Sequence, residues 1–113
     1  MIAAAFNAGD LEAFAQLYEA DATVIVPPDG RRVTGRDAIR AAMEPMFALD
    51  TSFRSEVVEK LESDGLALTH AHWSVVATGG GDRVELAGRG TIVSRRQPDG
   101  TWRIVLDNPM SPD

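Results

Sequence analysis

Gln97-Pro98-Asp99-Gly100-Thr101-Trp102-Arg103-Ile104 is the stretch on which the fold turns. Pro98-Asp99-Gly100 is turn chemistry, and β-branched and aromatic residues lie on both sides of it. The segment therefore predicts a hairpin that joins a strand over 83–96 to a final strand over 101–107. Working back toward the N-terminus, Gly79-Gly80-Gly81-Asp82 and Asp64-Gly65 are two more turns, which divide residues 52–96 into three long strands. Thr34-Gly35-Arg36-Asp37 opens a helix that carries Ile39, Met43, Met46 and Phe47 on one side and contains Pro45, where a kink or an early end is expected. Ala22–Val26 is a β-branched strand, ended by Pro27-Pro28. Asp29-Gly30 turns it into a short return strand over Arg31–Thr34. In front of these, Asn7-Ala8-Gly9-Asp10 ends one helix and starts another, with Gly9 as C-cap and Asp10 as N-cap. Leu11, Phe14, Leu17 and Tyr18 make an apolar stripe for a helix reaching about Ala20.

Helices first and antiparallel strands afterwards describe an α+β domain, with helices packed on one sheet face and a cavity between the layers. At 113 residues the chain is expected to be a single domain. Seventeen acids against eleven basic residues give a net charge of −6, which disfavours a nucleic-acid partner. The chain has no cysteine. This removes disulfides, thiol nucleophiles and zinc–thiolate sites and fits a cytoplasmic location. Neither a membrane span nor a signal peptide is expected, because the apolar start at residues 1–6 is short and has no basic flank.

Register then assigns faces. If Ser63 pairs with Leu66, then Leu61 faces Leu68, Glu59 faces His70 and Val57 faces His72, all on the side of Phe53. Pairing Thr78 with Arg83 sets His72 opposite Arg89 and His70 opposite Thr91. On this register the two histidines point toward the helices, and Trp73 and Trp102 point away. His70 and His72 stand roughly 7 Å apart along the strand, and imidazole is a side-chain type suited to moving protons. They are read either as pocket-lining proton carriers or as a hydrogen-bonded patch beside Glu59; no further ligands accompany them, so no metal is expected. Asp107 is either a carboxylate in the pocket or a strand-end cap, paired with a histidine or with Arg89. Gly88 and Gly90 around Arg89 indicate close approach of another group or a bulge. Phe14, Tyr18, Val24, Val26, Phe53 and Val57 are expected to line an apolar pocket, with Arg89 and Thr91 as polar contacts. The segment 108–113, rich in proline, is expected to be loose. No cofactor motif occurs: Gly79-Gly80-Gly81 joins two strands and has no following lysine.

Asn7-Ala8-Gly9-Asp10-Leu11, Ala22-Thr23-Val24, Gly35-Arg36-Asp37-Ala38-Ile39-Arg40 and Asp99-Gly100-Thr101-Trp102-Arg103-Ile104 resemble the SnoaL-like, nuclear transport factor two-like superfamily, most closely its small SgcJ/EcaC-type members. The resemblance implies a cone of curved antiparallel sheet wrapped around N-terminal helices, enclosing a cavity, and a homodimer; large residues on the outer face, Trp73 and Trp102 among them, point to packing through the sheet. It also implies relatives that are isomerases, cyclases, dehydratases and epoxide hydrolases. Where ketosteroid isomerases keep their general-base Asp, this chain has Val26. Their oxyanion Tyr falls at Ile2 and their oxyanion Asp near Thr91 or Ile92. The second Asp of the epoxide hydrolases falls on Asp107, whereas their Arg-x-Asp pair falls on His70-Ala71-His72. The resemblance therefore implies a small-molecule-binding domain, or alternatively a cofactor-free enzyme that transfers protons with His70, His72 and Asp107.

Overall fold

The computed structural model describes residues 2–27 and 29–111. Three helices, α1 (Ile2–Ala8), α2 (Leu11–Gln16) and α3 (Arg36–Phe47), pack against one six-stranded sheet. Its strands are β1 (Tyr18–Val26), β2 (Arg31–Thr34), β3 (Asp50–Ser63), β4 (Leu66–Gly80), β5 (Asp82–Arg96) and β6 (Trp102–Asn108), in the order β2-β1-β6-β5-β4-β3. All neighbours are antiparallel except β1 and β6, which run parallel. That one parallel contact brings the first strand of the chain against the last. The α+β class, the element order and the enclosed cavity are those expected. Among the described residues, no helix is long and apolar enough to cross a membrane.

The helix ends follow from local chemistry. At Gly9 (φ 65°) the amides of Gly9 and Asp10 bond the carbonyls of Phe6 and Ala5. This is the paired closure that a left-handed residue permits at a helix C-terminus. Asp10 then caps α2 through a 3.0 Å bond from the Ala13 amide. Gly35 opens α3 without a side-chain cap, and Asp37 in the first turn lies 3.8 Å from Arg40. Pro45 sits inside α3, which continues to Phe47.

Two findings correct the expected elements. First, α2 stops at Gln16 and Tyr18 already belongs to β1, because β6 captures the chain there: the Ile104 amide bonds the Leu17 carbonyl at 2.7 Å. Arg36 fixes the same point from α3, donating to the Tyr18 carbonyl at 3.2 and 2.7 Å. Second, the segment after β6 is tied down through Ser111. The Trp73 indole donates to the Pro109 carbonyl at 2.7 Å, and the Ser111 amide and hydroxyl both donate to the Arg89 carbonyl. Pro28, expected to help end β1, and residues 112 and 113 of the tail lie outside the described residues.

The core is built around Phe6, Phe14, Tyr18, Ile39 and Ile104, all nearly inaccessible to solvent. Phe47, Phe6, Phe53 and Trp73 form a run of near-parallel rings, with centroids 4.7, 4.9 and 6.2 Å apart. The run links α3, α1, β3 and β4.

Candidate functional site

A cavity of about 110 Å³ lies between the helices and the concave face of the sheet. Ile2 and Phe6 of α1, Phe14 of α2, and Met43 and Met46 of α3 form its helical wall. Val24, Phe53, Ala71, Trp73, Val75 and Ile92 form its sheet wall. Both walls are apolar, the usual composition of a small-molecule site.

Into this lining project two polar side chains that meet. The Tyr18 hydroxyl donates to Asp107 Oδ2 at 2.6 Å. Strand pairing explains the encounter: parallel β1 and β6 set Val24 beside Asp107 and Tyr18 beside Ile104. The register shifts between these two pairs, so the chain bulges and both residues turn inward. Within β6, Ile104 pairs with Ser94 but Leu106 pairs with Val93, which leaves Val105 as an extra residue. In a regular strand Ile104 and Asp107, three positions apart, would point to opposite faces; the bulge at Val105 puts them on the same one.

Electrostatics follow from the surroundings. Asp107 as a residue is half-buried, but the opening beside it is the cavity, and its carboxyl group is enclosed by apolar walls. Loss of water raises its pKa to about 6, with the Tyr18 hydrogen bond pulling the other way. Burial, and then the neighbouring Asp107 charge and its hydrogen bond, push the Tyr18 phenol well above its ordinary value. Tyr18 therefore remains a donor, while Asp107 changes charge close to neutral pH.

Apart from Val57, the structure distributes the expected site residues over three places. Phe14, Tyr18, Val24, Phe53 and Asp107 come together at the cavity. Val26 is buried in the neighbouring core. His70, His72, Arg89 and Thr91 occupy the opposite sheet face, since Ala71, Trp73, Gly90 and Ile92 face the cavity and side chains alternate. Glu59–His70, His72–Arg89 and His70–Thr91 do pair as expected. Val57, however, pairs with Ala71, and His72 pairs with Glu56, because β3 bulges between Val57 and Glu59. The one-residue bulge reverses the relation between Phe53 and the histidines. It also turns Trp73, expected outside, into a cavity wall. Val57 itself is 59% exposed. His70 Nδ1 lies 3.0 Å from the Thr91 hydroxyl and Nε2 lies 3.9 Å from Glu59. This is the hydrogen-bonded patch that was the second reading of the pair.

Trp73, Ile92, Gly90 and Pro109 line the cavity and were not singled out as site residues. Gly88 and Gly90 were the available signal: their missing side chains leave room for the Trp73 ring and for Pro109. Among the described residues, no three His, Asp or Glu side chains converge as a metal site would require.

The family model of the SnoaL-like domain matches residues 1–105. A conserved protein from Planctomyces limnophilus superposes with a TM-score of 0.84 at 23% identity, over 96% of this chain and 85% of that one. A ketosteroid isomerase-like protein from Erwinia carotovora gives 0.77 at 21% identity, over 96% and 88% of the two chains. An NTF2-like protein with a cystatin-like fold from Novosphingobium aromaticivorans gives 0.77 at 21% identity, over 98% and 75%. None of the curated proteins matches the sequence. At these identities the superpositions establish the shared fold.

Proposed function

This chain belongs to the SnoaL-like domain family, and from that premise we propose that its cavity takes a small, largely apolar molecule and that Asp107 moves a proton on it. The observation that carries this reading is the Asp107 carboxyl group itself, held in an apolar cavity by Tyr18 with its pKa raised to about 6. A general base works best when its pKa lies near the working pH. A carboxylate stripped of water is a stronger base than one in bulk solvent, and the same group returns the proton as an acid. Tyr18 occupies one carboxylate oxygen and fixes its direction, which leaves the remaining lone pairs for the ligand. The reaction class is a cofactor-free isomerisation, cyclisation or hydrolysis. His70 and His72 play no part in this reading, because they lie on the other face of the sheet.

Cyclopent-3-enone is a suitable probe. Its double bond moves into conjugation when a base takes a proton from the carbon between the carbonyl and the double bond and returns it to the far carbon of the double bond, two positions along. Conversion followed by ultraviolet absorbance is expected to rise with pH through about 6, and Asp107→Asn is expected to lower it at least tenfold. Equal conversion by Asp107→Asn would overturn the proton-transfer role.

Binding without turnover is the second reading. It is supported by Val26, an apolar residue where the resemblance places the isomerases' base. Saturable binding of the enone with no conversion at any pH would favour it.

A further inference from the structure

Asn108 ends β6 in register with Thr91, and the chain then continues against β5. The Pro109 carbonyl accepts the Trp73 indole N–H at 2.7 Å, and the Arg89 carbonyl accepts the Ser111 amide at 3.0 Å and its hydroxyl at 2.9 Å. Two glycines make this approach possible. A Cβ on Gly88 would lie 3.1 Å from the Pro109 carbonyl oxygen and 3.3 Å from the Trp73 ring. One on Gly90 would lie 3.4 Å from that ring and 3.5 Å from Pro109 Cα. Pro109, Trp73 and Gly90 all line the cavity. Trp73 thus acts twice, since its ring faces the cavity and its N–H holds the chain that closes the cavity beside it.

We propose that Pro109–Ser111 is a strap that sets the size of ligand the cavity accepts, with Trp73 and Gly88 as the specificity-determining residues that hold it down. The proposal rests on the ligand-binding reading above. With the strap seated, the cavity measures about 110 Å³. An apolar protein cavity of about 150 Å³ takes a benzene ring, so the space inside the seated strap matches one small ring. A fused bicyclic ligand requires the strap to lift. The strap's hold is made by hydrogen bonds to two backbone carbonyls, and the side chain at its middle, Met110, is exposed.

Phenol and 2-naphthol serve as the size pair, with binding followed by NMR titration of the full chain. The wild type is expected to prefer phenol at least tenfold. Gly88→Ala is the diagnostic variant, because it adds atoms yet is expected to admit the larger ligand: its new Cβ displaces the Pro109 carbonyl. The phenol preference should fall at least fivefold, and the Ser111 amide should exchange faster with solvent. Trp73→Phe, which removes the donor and keeps an aromatic wall, should act in the same direction. Ser111→Ala, which loses one of the bonds to Arg89, should do so more weakly and stands in if Gly88→Ala fails to fold. Phenol binding with an unchanged phenol-to-naphthol ratio in the folded variants overturns the strap and leaves the ligand-binding reading intact. Failure of both probes to bind the wild type and every variant overturns the ligand-binding reading, and the strap with it.

Discussion

The hydroxyl of Tyr18, the first residue of β1, donates to Asp107, the penultimate residue of β6, across 2.6 Å. Eighty-nine positions separate them in the chain. The parallel pairing of β1 with β6 joins them, and the aromatic and aliphatic walls around them set the chemistry of the carboxyl group.

Asp107 makes the stability of the fold depend on pH in a definite direction. Its folded pKa is about 6 against an ordinary 3.8. Between these values the native state binds more protons than the unfolded chain, so stability falls as pH rises. A shift of about 2 units corresponds to about 3 kcal/mol. Asp107→Asn keeps an acceptor for Tyr18 and cannot ionise. The stability of Asp107→Asn relative to wild type is therefore expected to grow by about 3 kcal/mol between roughly pH 2.5 and pH 7.5, measured by urea unfolding. A difference that stays flat across that range would show that the carboxylate is solvated.

Tyr18→Phe removes the hydrogen bond and preserves the shape of the wall. That bond is the interaction holding the Asp107 pKa down against burial. The Asp107 pKa is expected to climb further above 6, read from the 13C shift of its carboxyl carbon. Because a hydrogen bond to a charged group is worth about 1.5–3 kcal/mol, Tyr18→Phe should destabilise the fold more at pH 8 than at pH 5. Equal costs at both values would contradict the assignment.

Gly9→Ala tests the junction between α1 and α2. The residue has φ 65° and nothing within 4 Å of an added Cβ, so backbone conformation alone opposes the substitution. A cost of about 1 kcal/mol is expected, with the Asp107 pKa unchanged. A much larger loss would show that the glycine serves packing and not the turn.

The outer face of the sheet gives an expectation for assembly. Leu61, Leu68, Val93 and Leu106 pair in one row across β3, β4, β5 and β6. Leu61 is 58% and Leu106 50% exposed. Glu59, His70, Thr91 and Asn108 form the adjoining polar row, and Glu56, His72 and Arg89 the next. A face with an apolar row beside acids and bases suits a second copy of itself under twofold symmetry. We propose a homodimer through this face. Light scattering at micromolar concentration should give twice the chain mass, and Leu106→Glu should give the monomer mass. A wild-type mass of one chain would refute the dimer.

The sequence by itself determined the elements and their order. Gly9, Asp64-Gly65 and Pro98-Asp99-Gly100 are local instructions, because each turn depends on the conformational freedom or hydrogen bonding of the residues that make it. Asp64 and Gly65 both adopt positive φ, as a two-residue hairpin demands. The resulting register, Ser63 with Leu66 and Glu59 with His70, followed from counting outward from the turn. The aromatic and aliphatic part of the site, Phe14, Tyr18, Val24 and Phe53, was legible for the same reason: large apolar residues in regular spacing must be buried.

Tertiary structure decided which polar groups share the cavity. The counting fails at Val57–Glu59 and at Val105, where one extra residue enters a strand and every side chain beyond it changes face. The first bulge leaves His70, His72 and Arg89 on the outer face and turns Trp73 inward; the second turns Asp107 inward beside Tyr18. No residue in either bulge announces it, since Val57, Val58 and Val105 are ordinary strand formers. A bulge is stabilised by what the turned side chains reach across the sheet. Here those are the Tyr18 hydroxyl from β1 and the Pro109 carbonyl from the chain after β6. Both partners are remote in sequence, so only the assembled sheet could select them.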